Sequence, residues 1–270
     1  MPKIIESRQK LKISGKMKKK CFLFIVLGAF AMQLKAQESF IRGHKTYLDS
    51  TSVENSLILL TPPPTPGTYE FFLDELAYFQ GKEERITPRG EQAVCDAKIS
   101  GDTILIHFTD AFGMEITKDS LPELYELMMC MKETAGTLGT MHAKRHYKRY
   151  RPFMYFNEHT ATIKDENSLK SDGSYPSSHS AIFYSMALVL SEVNPDRKAE
   201  LMERGFEAGR SRVIVGAHWA SDVEAGRKVA IAVVDCLHHH KEFMEQLAKA
   251  KKEFEDKRKG NSHTITNKNK

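Results

Sequence analysis

Three short segments of this chain have to meet in space if their side chains act together, and this requirement constrains the fold more than any other feature. They are Lys144 with Arg151-Pro152, then Tyr175-Pro176-Ser177-Ser178-His179, and finally Ser211-Arg212 with His218 and Asp222. Together they supply three positive charges, serine hydroxyls, two imidazoles and one carboxylate. A phosphoryl group in transfer spreads negative charge over its oxygens, so its catalysis depends mostly on positioning and on cations. The segments therefore predict a site that holds a phosphoryl group without a metal ion or a cofactor.

The two histidines suit two different chemical roles. His218 and Asp222 are four residues apart, so on a helix the carboxylate can hold one imidazole nitrogen and leave the other as a nucleophile toward phosphorus. His179 follows Ser177-Ser178 at a predicted helix N-terminus, where main-chain N–H groups favour a bound phosphate. There its imidazole can protonate the leaving oxygen. The alternatives are a surface His–Asp pair, and serines that only cap the helix.

The cations of the three segments predict a clamp for the phosphate. Arg151 and Arg212 offer planar forks that match two oxygens, and Lys144 offers a point charge. The other cations nearby are interpreted as surface or supporting groups: Arg145, Lys148, Arg149 and Arg210. The remaining histidines suggest no metal site, because His238-His239-His240 suits a solvated helix end and packing is the simpler reading of His142 and His146.

These motifs resemble the three-part signature of the type 2 phosphatidic acid phosphatase superfamily, which also contains the vanadium haloperoxidases. The flanks of the motifs, such as Arg149–Phe153 and Gly209–Ile214, are similar to those of soluble bacterial class A non-specific acid phosphatases, and the likeness covers about residues 57–235. The resemblance implies a periplasmic acid phosphatase acting on small phosphomonoesters. It further implies that His218 forms a phosphohistidine, that Asp222 orients it and that His179 is the general acid.

Ser178 departs from the family pattern, which has glycine before the second-motif histidine. A glycine there lets the main chain approach phosphate closely and donate its N–H. Serine keeps the N–H, so we expect phosphate binding to survive, unless the position requires a positive φ that would strain Ser178.

Three other functions remain open from the residues. A vanadium-dependent haloperoxidase would hold vanadate in the same pocket, although the flanks favour a phosphatase. A lipid phosphatase would need membrane spans, and none follows Met32. A non-catalytic periplasmic phosphate-binding protein would need the cations but not a nucleophile with an orienting carboxylate, so His218 and Asp222 argue against it.

The N-terminus predicts export. Met17-Lys18-Lys19-Lys20 precedes an apolar run from Cys21 to Met32, and Ala36 is a small residue at the expected cleavage point, as in a secretory signal. The apolar run is shorter than the roughly 20 residues of a membrane span. This argues against the alternative, an uncleaved membrane anchor. We expect residues 1–36 to be an extension and a signal peptide over 17–36, and the mature chain to be periplasmic or secreted without stable membrane insertion.

The charge of the chain depends on that segment. Residues 1–36 hold nine of the 40 lysines and arginines and one of the 35 acidic residues, which leaves 31 basic and 34 acidic residues, a net charge of −3. The mature chain therefore offers no basic surface for nucleic acid.

The hydrophobic pattern predicts an all-α fold, a single-domain helical bundle over residues 57–259 with the phosphate site at the ends of core helices. A polar lead-in over 37–56 and a disordered tail over 260–270 flank it. A helix over Tyr69–Gln80 is expected to bury Phe71, Phe72, Leu76 and Phe79. Thr87-Pro88 and a capping box at Ser120–Glu123 predict helix starts. Whether the chain forms a homodimer is left open.

Overall fold

The computed structural model describes residues 46–49 and 52–268, with side chains described as far as Gly260. The predicted signal peptide and most of the polar lead-in lie outside these residues. Within the described part every regular element is a helix and there is no strand, which confirms the all-α prediction. No helix in this part is both long and apolar enough to cross a bilayer.

The helices follow one another along the described chain with short connections. A π-helix, Thr134–Leu138, joins α6 to α7, and single 3-10 turns precede α9 and α11. The α-helices are α1 (Ser56–Leu59), α2 (Tyr69–Glu84), α3 (Pro88–Asp96), α4 (Thr103–Ile106), α5 (Thr109–Phe112), α6 (Pro122–Glu133), α7 (Met141–Tyr147), α8 (Pro152–Tyr155), α9 (Glu166–Lys170), α10 (Ser178–Val193), α11 (Lys198–Ile214), α12 (Ala220–His238) and α13 (Lys241–Lys268).

Helix α10 forms the centre of the bundle. It packs against α11 and α12 along most of its length, and also against α6, the π-helix and α13. Its sequence is apolar on most faces, as expected of a helix surrounded by others. At Gly226 on α12 a β-carbon would overlap the Ser177 carbonyl oxygen. Glycine therefore lets the N-terminus of α12 lie directly against the N-terminus of α10, where two of the three motifs meet.

The predicted helix starts have mixed outcomes. Thr87 is the N-cap of α3 and Pro88 is its first residue, as predicted. The capping box at Ser120 is wrong, because Leu121 is the N-cap of α6 and the Ser120 hydroxyl donates to the Glu115 carbonyl in the preceding turn. Proline at the first helical position gives α6 its start without that cap.

Helix α2 exists as predicted, but its buried face was wrong. Of the four expected core residues only Phe71 is buried, while Phe72, Leu76 and Phe79 are all more than 40% exposed. The helix turns Asp74 inward instead. A buried carboxylate with charged partners can outweigh the burial of an apolar side chain, and hydrophobic spacing alone does not register this.

The C-terminal helix is longer than the sequence indicated. Helix α13 continues to Lys268, whereas its pattern ends at Lys259 and residues 260–270 were expected to be a disordered tail. No proline follows Gly260, and one glycine inside a helix costs only about 1 kcal/mol relative to alanine.

Candidate active site

The predicted site residues are brought together at helix ends. Lys144 lies in the last turn of α7, and Arg151 is the N-cap of α8. Ser178 and His179 open α10, and Arg212 lies in the last turn of α11. His218 and Asp222 lie on either side of the N-cap of α12. Both Arg151 and Asp222 reach His218, and Asp222 accepts the Ser177 N–H through its carbonyl at 2.9 Å.

The protonated nitrogen of His218 can be assigned from its neighbours. Arg151 Nη1 lies 2.9 Å from His218 Nε2, and a guanidinium can only donate, so Nε2 is the acceptor and the ring proton is on Nδ1. Burial, followed by the charges of Arg151 and Lys144, lowers the pKa of His218 well below its ordinary value. The neutral imidazole of His218, with its lone pair on Nε2, is therefore favoured.

Asp222 acts on His218 largely through Ser174. Asp222 Oδ2 lies 3.5 Å from His218 Nδ1, too far for a good hydrogen bond. Ser174 Oγ donates to Asp222 Oδ2 at 2.5 Å and lies 3.3 Å from His218 Nδ1. The direct His–Asp bond expected from the four-residue spacing is thus replaced by a contact bridged by a serine.

Asp222 is fixed in turn by a buried charge network. Its second oxygen accepts from Arg149 Nη1 at 2.7 Å, and Trp219 donates its main-chain N–H to Oδ2 at 2.9 Å. Arg149 also bonds Asp74 at 2.8 Å, and Asp74 accepts from both the N–H and the hydroxyl of Ser221. Arg149 therefore has the supporting role that was one of its two predicted interpretations.

Lys144 and Arg151 are already engaged by the segment before the second motif. Lys144 Nζ donates to the Gly173 carbonyl at 2.6 Å and lies 3.0 Å from Asp172 Oδ2. Arg151 Nε donates to the Leu169 carbonyl at 2.8 Å, and its Nη1 also donates to the Ala217 carbonyl at 3.0 Å. Burial, with the Arg151 charge second, lowers the pKa of Lys144 to about 8.

Arg212 presents the opposite situation. Its side chain is 1% exposed, yet Nε and Nη1 have no hydrogen-bond partner among the described residues. Burial and the charge of Arg151 lower its pKa to about 10, at which it still carries its charge under acid or neutral conditions. A buried cation with open donors is costly unless an anion can reach it.

His179 lies close to the same charges. Burial, followed by the Arg212 charge, lowers its pKa well below the ordinary value. Its Nε2 lies 3.3 Å from the Ala97 carbonyl, which can only accept, so Nε2 carries the proton and Nδ1 is open in the neutral form. Such a histidine can take up a second proton and release it to a partner.

The N-terminus of α10 leaves main-chain hydrogen-bond donors available. Ser177 caps the helix through its hydroxyl oxygen, which accepts from the Ser180 N–H at 3.3 Å. Ser178 is the first helical residue and its φ is not among the positive values of the described chain, so serine replaces the usual glycine without strain. Its hydroxyl lies 3.0 Å from Thr140 Oγ1. The main-chain N–H groups of Ser178 and His179 bond no described residue.

The turn between Arg212 and His218 depends on a glycine. Gly216 has a φ of 83°, and a β-carbon there would overlap Arg85 Nη2. Arg85 holds the same turn by donating to the Ile214 carbonyl at 2.7 Å. The turn closes when the Arg212 carbonyl accepts the Ala217 N–H at 3.0 Å and the His218 N–H at 3.2 Å. This explains how the five residues between Arg212 and His218 bring both side chains to one site.

Sequence reasoning missed three residues that support the site. Ser174 contacts Asp222 directly, and its position four residues before Ser178 could have suggested a contact. Asp172 contacts Lys144, but nothing distinguishes it from its polar neighbours in the sequence. Asp74 reaches Asp222 through Arg149. Asp74 had no signal at all, since it lies 147 residues before its partner Ser221 and reaches it only through the fold.

Several side chains next to the motifs lie in the core or at the surface. Trp219 is 1% exposed beside Phe71, and Arg210 pairs with Glu84 at the surface. Helix α12 ends at His238. His142 and His146 belong to no group of three or more histidine, cysteine or carboxylate side chains that could hold a metal, and the described residues contain no such group.

Comparison with known proteins gives one family. The model of the PAP2 superfamily matches residues 126–242, which include all three motifs. A non-specific acid phosphatase of Providencia stuartii is 45% identical over 231 residues, covering 86% of this chain and 93% of that protein. A non-specific acid phosphatase of Salmonella typhi is 42% identical over 203 residues, covering 75% and 81%. An acid phosphatase of Zymomonas mobilis is 34% identical over 247 residues, covering 90% and 92%.

Proposed function

Because this chain belongs to the PAP2 superfamily, and to the non-specific acid phosphatases within it, we propose that it is a periplasmic acid phosphatase that hydrolyses small phosphomonoesters through a phosphohistidine on His218. The observation that carries the proposal is the open guanidinium of Arg212, together with two buried histidines whose pKa values are lowered by burial and by nearby cations. The relatives are phosphatases by name, which favours this activity over a haloperoxidase or a phosphate-binding protein.

The phosphate of the substrate would bind to donors that are open in the structure. These are Nε and Nη1 of Arg212 and the N–H groups of Ser178 and His179 at the start of α10. A helix N-terminus adds its dipole to these donors and favours an anion. Lys144 and Arg151 complete the clamp by transferring bonds from their present partners to the phosphate oxygens.

In the first step His218 Nε2 attacks phosphorus, and the bond from phosphorus to the leaving oxygen breaks. Arg151 Nη1, which occupies Nε2 in the structure, moves to a phosphoryl oxygen and so exposes the lone pair. The proton on Nδ1 stays near Ser174 and Asp222, whose carboxylate stabilises the positive charge that develops on the ring. His179, protonated on both nitrogens, gives a proton to the departing alkoxide.

In the second step water cleaves the phosphohistidine. His179, now neutral, accepts a proton from the attacking water, and the P–N bond to His218 breaks to release inorganic phosphate. The same residue thus acts as acid and then as base, which returns the enzyme to its starting protonation state.

We propose that no metal takes part, because of the chemistry of the donor set. The charge-stabilising groups are cations, Lys144, Arg151 and Arg212, which attract the phosphoryl oxygens and repel a metal ion. The export that we propose rests on the signal over 17–36, outside the described residues. The N-terminal sequence of the exported protein tests it, since cleavage after Ala36 would begin the mature chain at Gln37.

The decisive test is to trap the intermediate. The mature chain should hydrolyse 4-nitrophenyl phosphate at mildly acid pH in the presence of a chelator. Acid-labile phosphate should be recovered on His218 after alkaline quenching. His218→Ala should abolish both turnover and labelling, with the circular dichroism spectrum unchanged. Covalent phosphate on another residue, or activity that returns only when zinc or magnesium is added after chelation, would overturn the mechanism.

A further inference from the structure

Asp172 occupies part of the clamp that is meant for phosphate. Its Oδ2 lies 3.0 Å from Lys144 Nζ and 3.8 Å from Arg151 Nη2. The carboxylate side chain is 53% exposed, whereas the side chains of Lys144 and Arg151 are 6% and 2% exposed. A solvent-facing anion therefore reaches two buried cations from outside, as the phosphate of a substrate would.

The main chain around Asp172 fixes that approach. Its carbonyl accepts from Arg151 Nε at 3.2 Å, and its N–H donates to the Leu169 carbonyl at 3.3 Å. The next residue, Gly173, offers its carbonyl to Lys144 Nζ. The backbone is anchored to the clamp, while among the described residues the carboxylate itself is held only by the ion pairs with Lys144 and Arg151. The side chain can leave those cations by rotating, without any movement of the anchored main chain.

We propose that Asp172 is an affinity-determining residue that competes with the phosphoryl group for Lys144 and Arg151. Substrate binding displaces the carboxylate into solvent, and product release is assisted when it returns. The proposal rests on the proposed phosphatase function, because it assigns the same two cations to the phosphate. It predicts that removing the negative charge of Asp172 tightens the binding of phosphate.

An opposite role for Asp172 would give the opposite sign. If the carboxylate served to orient Lys144 for catalysis, its removal would weaken phosphate binding and slow turnover. Exposure argues for competition, because a positioning group is normally buried with its partner, as Asp222 and Asp74 are. In addition, Lys144 keeps the Gly173 carbonyl as a positioning contact when Asp172 leaves.

Asp172 lies in a cleft lined mainly by cations. The cleft has a volume of about 320 Å³ and is also lined by Lys144, Arg145, Lys148, Arg149 and Lys170, and among the described residues no other carboxylate lines it. Asp222 acts on the same two clamp cations from the interior. Within the described part of the chain, a phosphate that enters this cleft therefore meets Asp172 as its competing anion.

The test compares wild type with Asp172→Asn, which keeps the shape and removes the charge. We expect the KM for 4-nitrophenyl phosphate and the inhibition constant of inorganic phosphate at pH 7 to fall by about threefold to tenfold, as for loss of a partly exposed ion pair. The kcat should change by less than twofold or fall slightly, because product release slows. A rise or no change in both constants would overturn the proposal.

Two controls keep this result separate from the proposed function. Asp196→Asn, at a surface pair with Arg258, removes an equal charge far from the clamp and should leave both constants unchanged. Phosphate binding by wild type is measured directly by calorimetry. If wild type neither binds phosphate nor turns over, the phosphatase proposal fails. If it does both but Asp172→Asn matches wild type, only the competition fails.

Discussion

The two halves of the phosphate clamp differ in what they hold in the ligand-free protein. Lys144 and Arg151 donate to carbonyls of residues 169–173 and of Ala217, and they pair with Asp172. Arg212 keeps two buried donors open. Lys144 and Arg151, the occupied half, are therefore stabilised by contacts within the protein. Arg212, the open half, is buried with unpaired donors, which costs free energy. The difference shows that identical charges in one motif set can serve structure and binding in unequal shares.

The largest expected effects are on activity, and a difference in stability then distinguishes the two halves of the clamp. Arg212→Met and Arg151→Met should each lower kcat/KM by about 10³-fold, as for loss of a group that stabilises transition-state charge. Only Arg151→Met should lower the free energy of unfolding, by about 1–3 kcal/mol, because it leaves the buried Ala217 carbonyl without that donor. Arg212→Met removes an unpaired buried charge, so its free energy of unfolding should lie within about 1 kcal/mol of the wild-type value. Denaturant melts of both variants measure this contrast, and equal losses would refute it.

A second test concerns His179, which lies near the open half. His179→Asn should slow hydrolysis of an alkyl phosphate by about 10²-fold, since general acid catalysis contributes at least that much. Hydrolysis of 4-nitrophenyl phosphate should suffer much less, because its leaving group needs no proton. Since burial and Arg212 lower the pKa of His179, its proton is gained only in acid. The kcat/KM of wild type for the alkyl ester should therefore rise as the pH falls from 7, and a flat profile would contradict this assignment.

The occupied half should respond to alkaline pH. Lys144 has a pKa lowered to about 8, so it loses its charge above pH 8 rather than near its ordinary value of about 10.4. Phosphate should therefore bind more weakly, and its inhibition constant should rise by about tenfold between pH 8 and pH 9.5. Lys144→Arg keeps its charge throughout this range and should remove the dependence. Parallel pH profiles for the two proteins would show that another group titrates.

The smallest effect is expected at Ser178. Its φ is helical and its N–H is open, so Ser178→Gly and Ser178→Ala should keep kcat within about tenfold of wild type, or about 1.4 kcal/mol in the barrier. The hydroxyl bonds Thr140, away from any required proton transfer. Steady-state kinetics of both variants test this. A hundredfold loss of kcat in both variants would contradict this and would show that the hydroxyl is a catalytic donor.

The sequence predicted the helical class correctly, because that class follows from local spacing. The structure also brings the predicted site residues together, while their catalytic roles stay predictions. The four-residue spacing of His218 and Asp222 and the five residues between Arg212 and His218 place these side chains through one turn and one helix start. What it could not supply were contacts between distant segments. Asp74 reaches Arg149 because α2 buries it on the same face as Phe71 and Tyr78, and hydrophobic periodicity gave no reason to expect a carboxylate there. Ser174 bridges His218 and Asp222 because these side chains lie a few tenths of an ångström too far apart for a good direct hydrogen bond. Sequence spacing cannot predict so small a difference.

The buried chain of contacts from Asp74 through Arg149 to Asp222 also determines how much of the protein a functional fragment must contain. All three motifs lie within residues 126–242, which suggests a transplantable catalytic unit. Yet Asp222, the proposed partner of His218, is bonded through Arg149 to Asp74 on α2, which lies more than fifty residues before that stretch begins. A fragment cut at the borders of the motif region would carry every motif residue and still lack the Asp74 carboxylate that holds Arg149 against Asp222. The smallest autonomous enzyme is therefore larger than the region by which its family is identified.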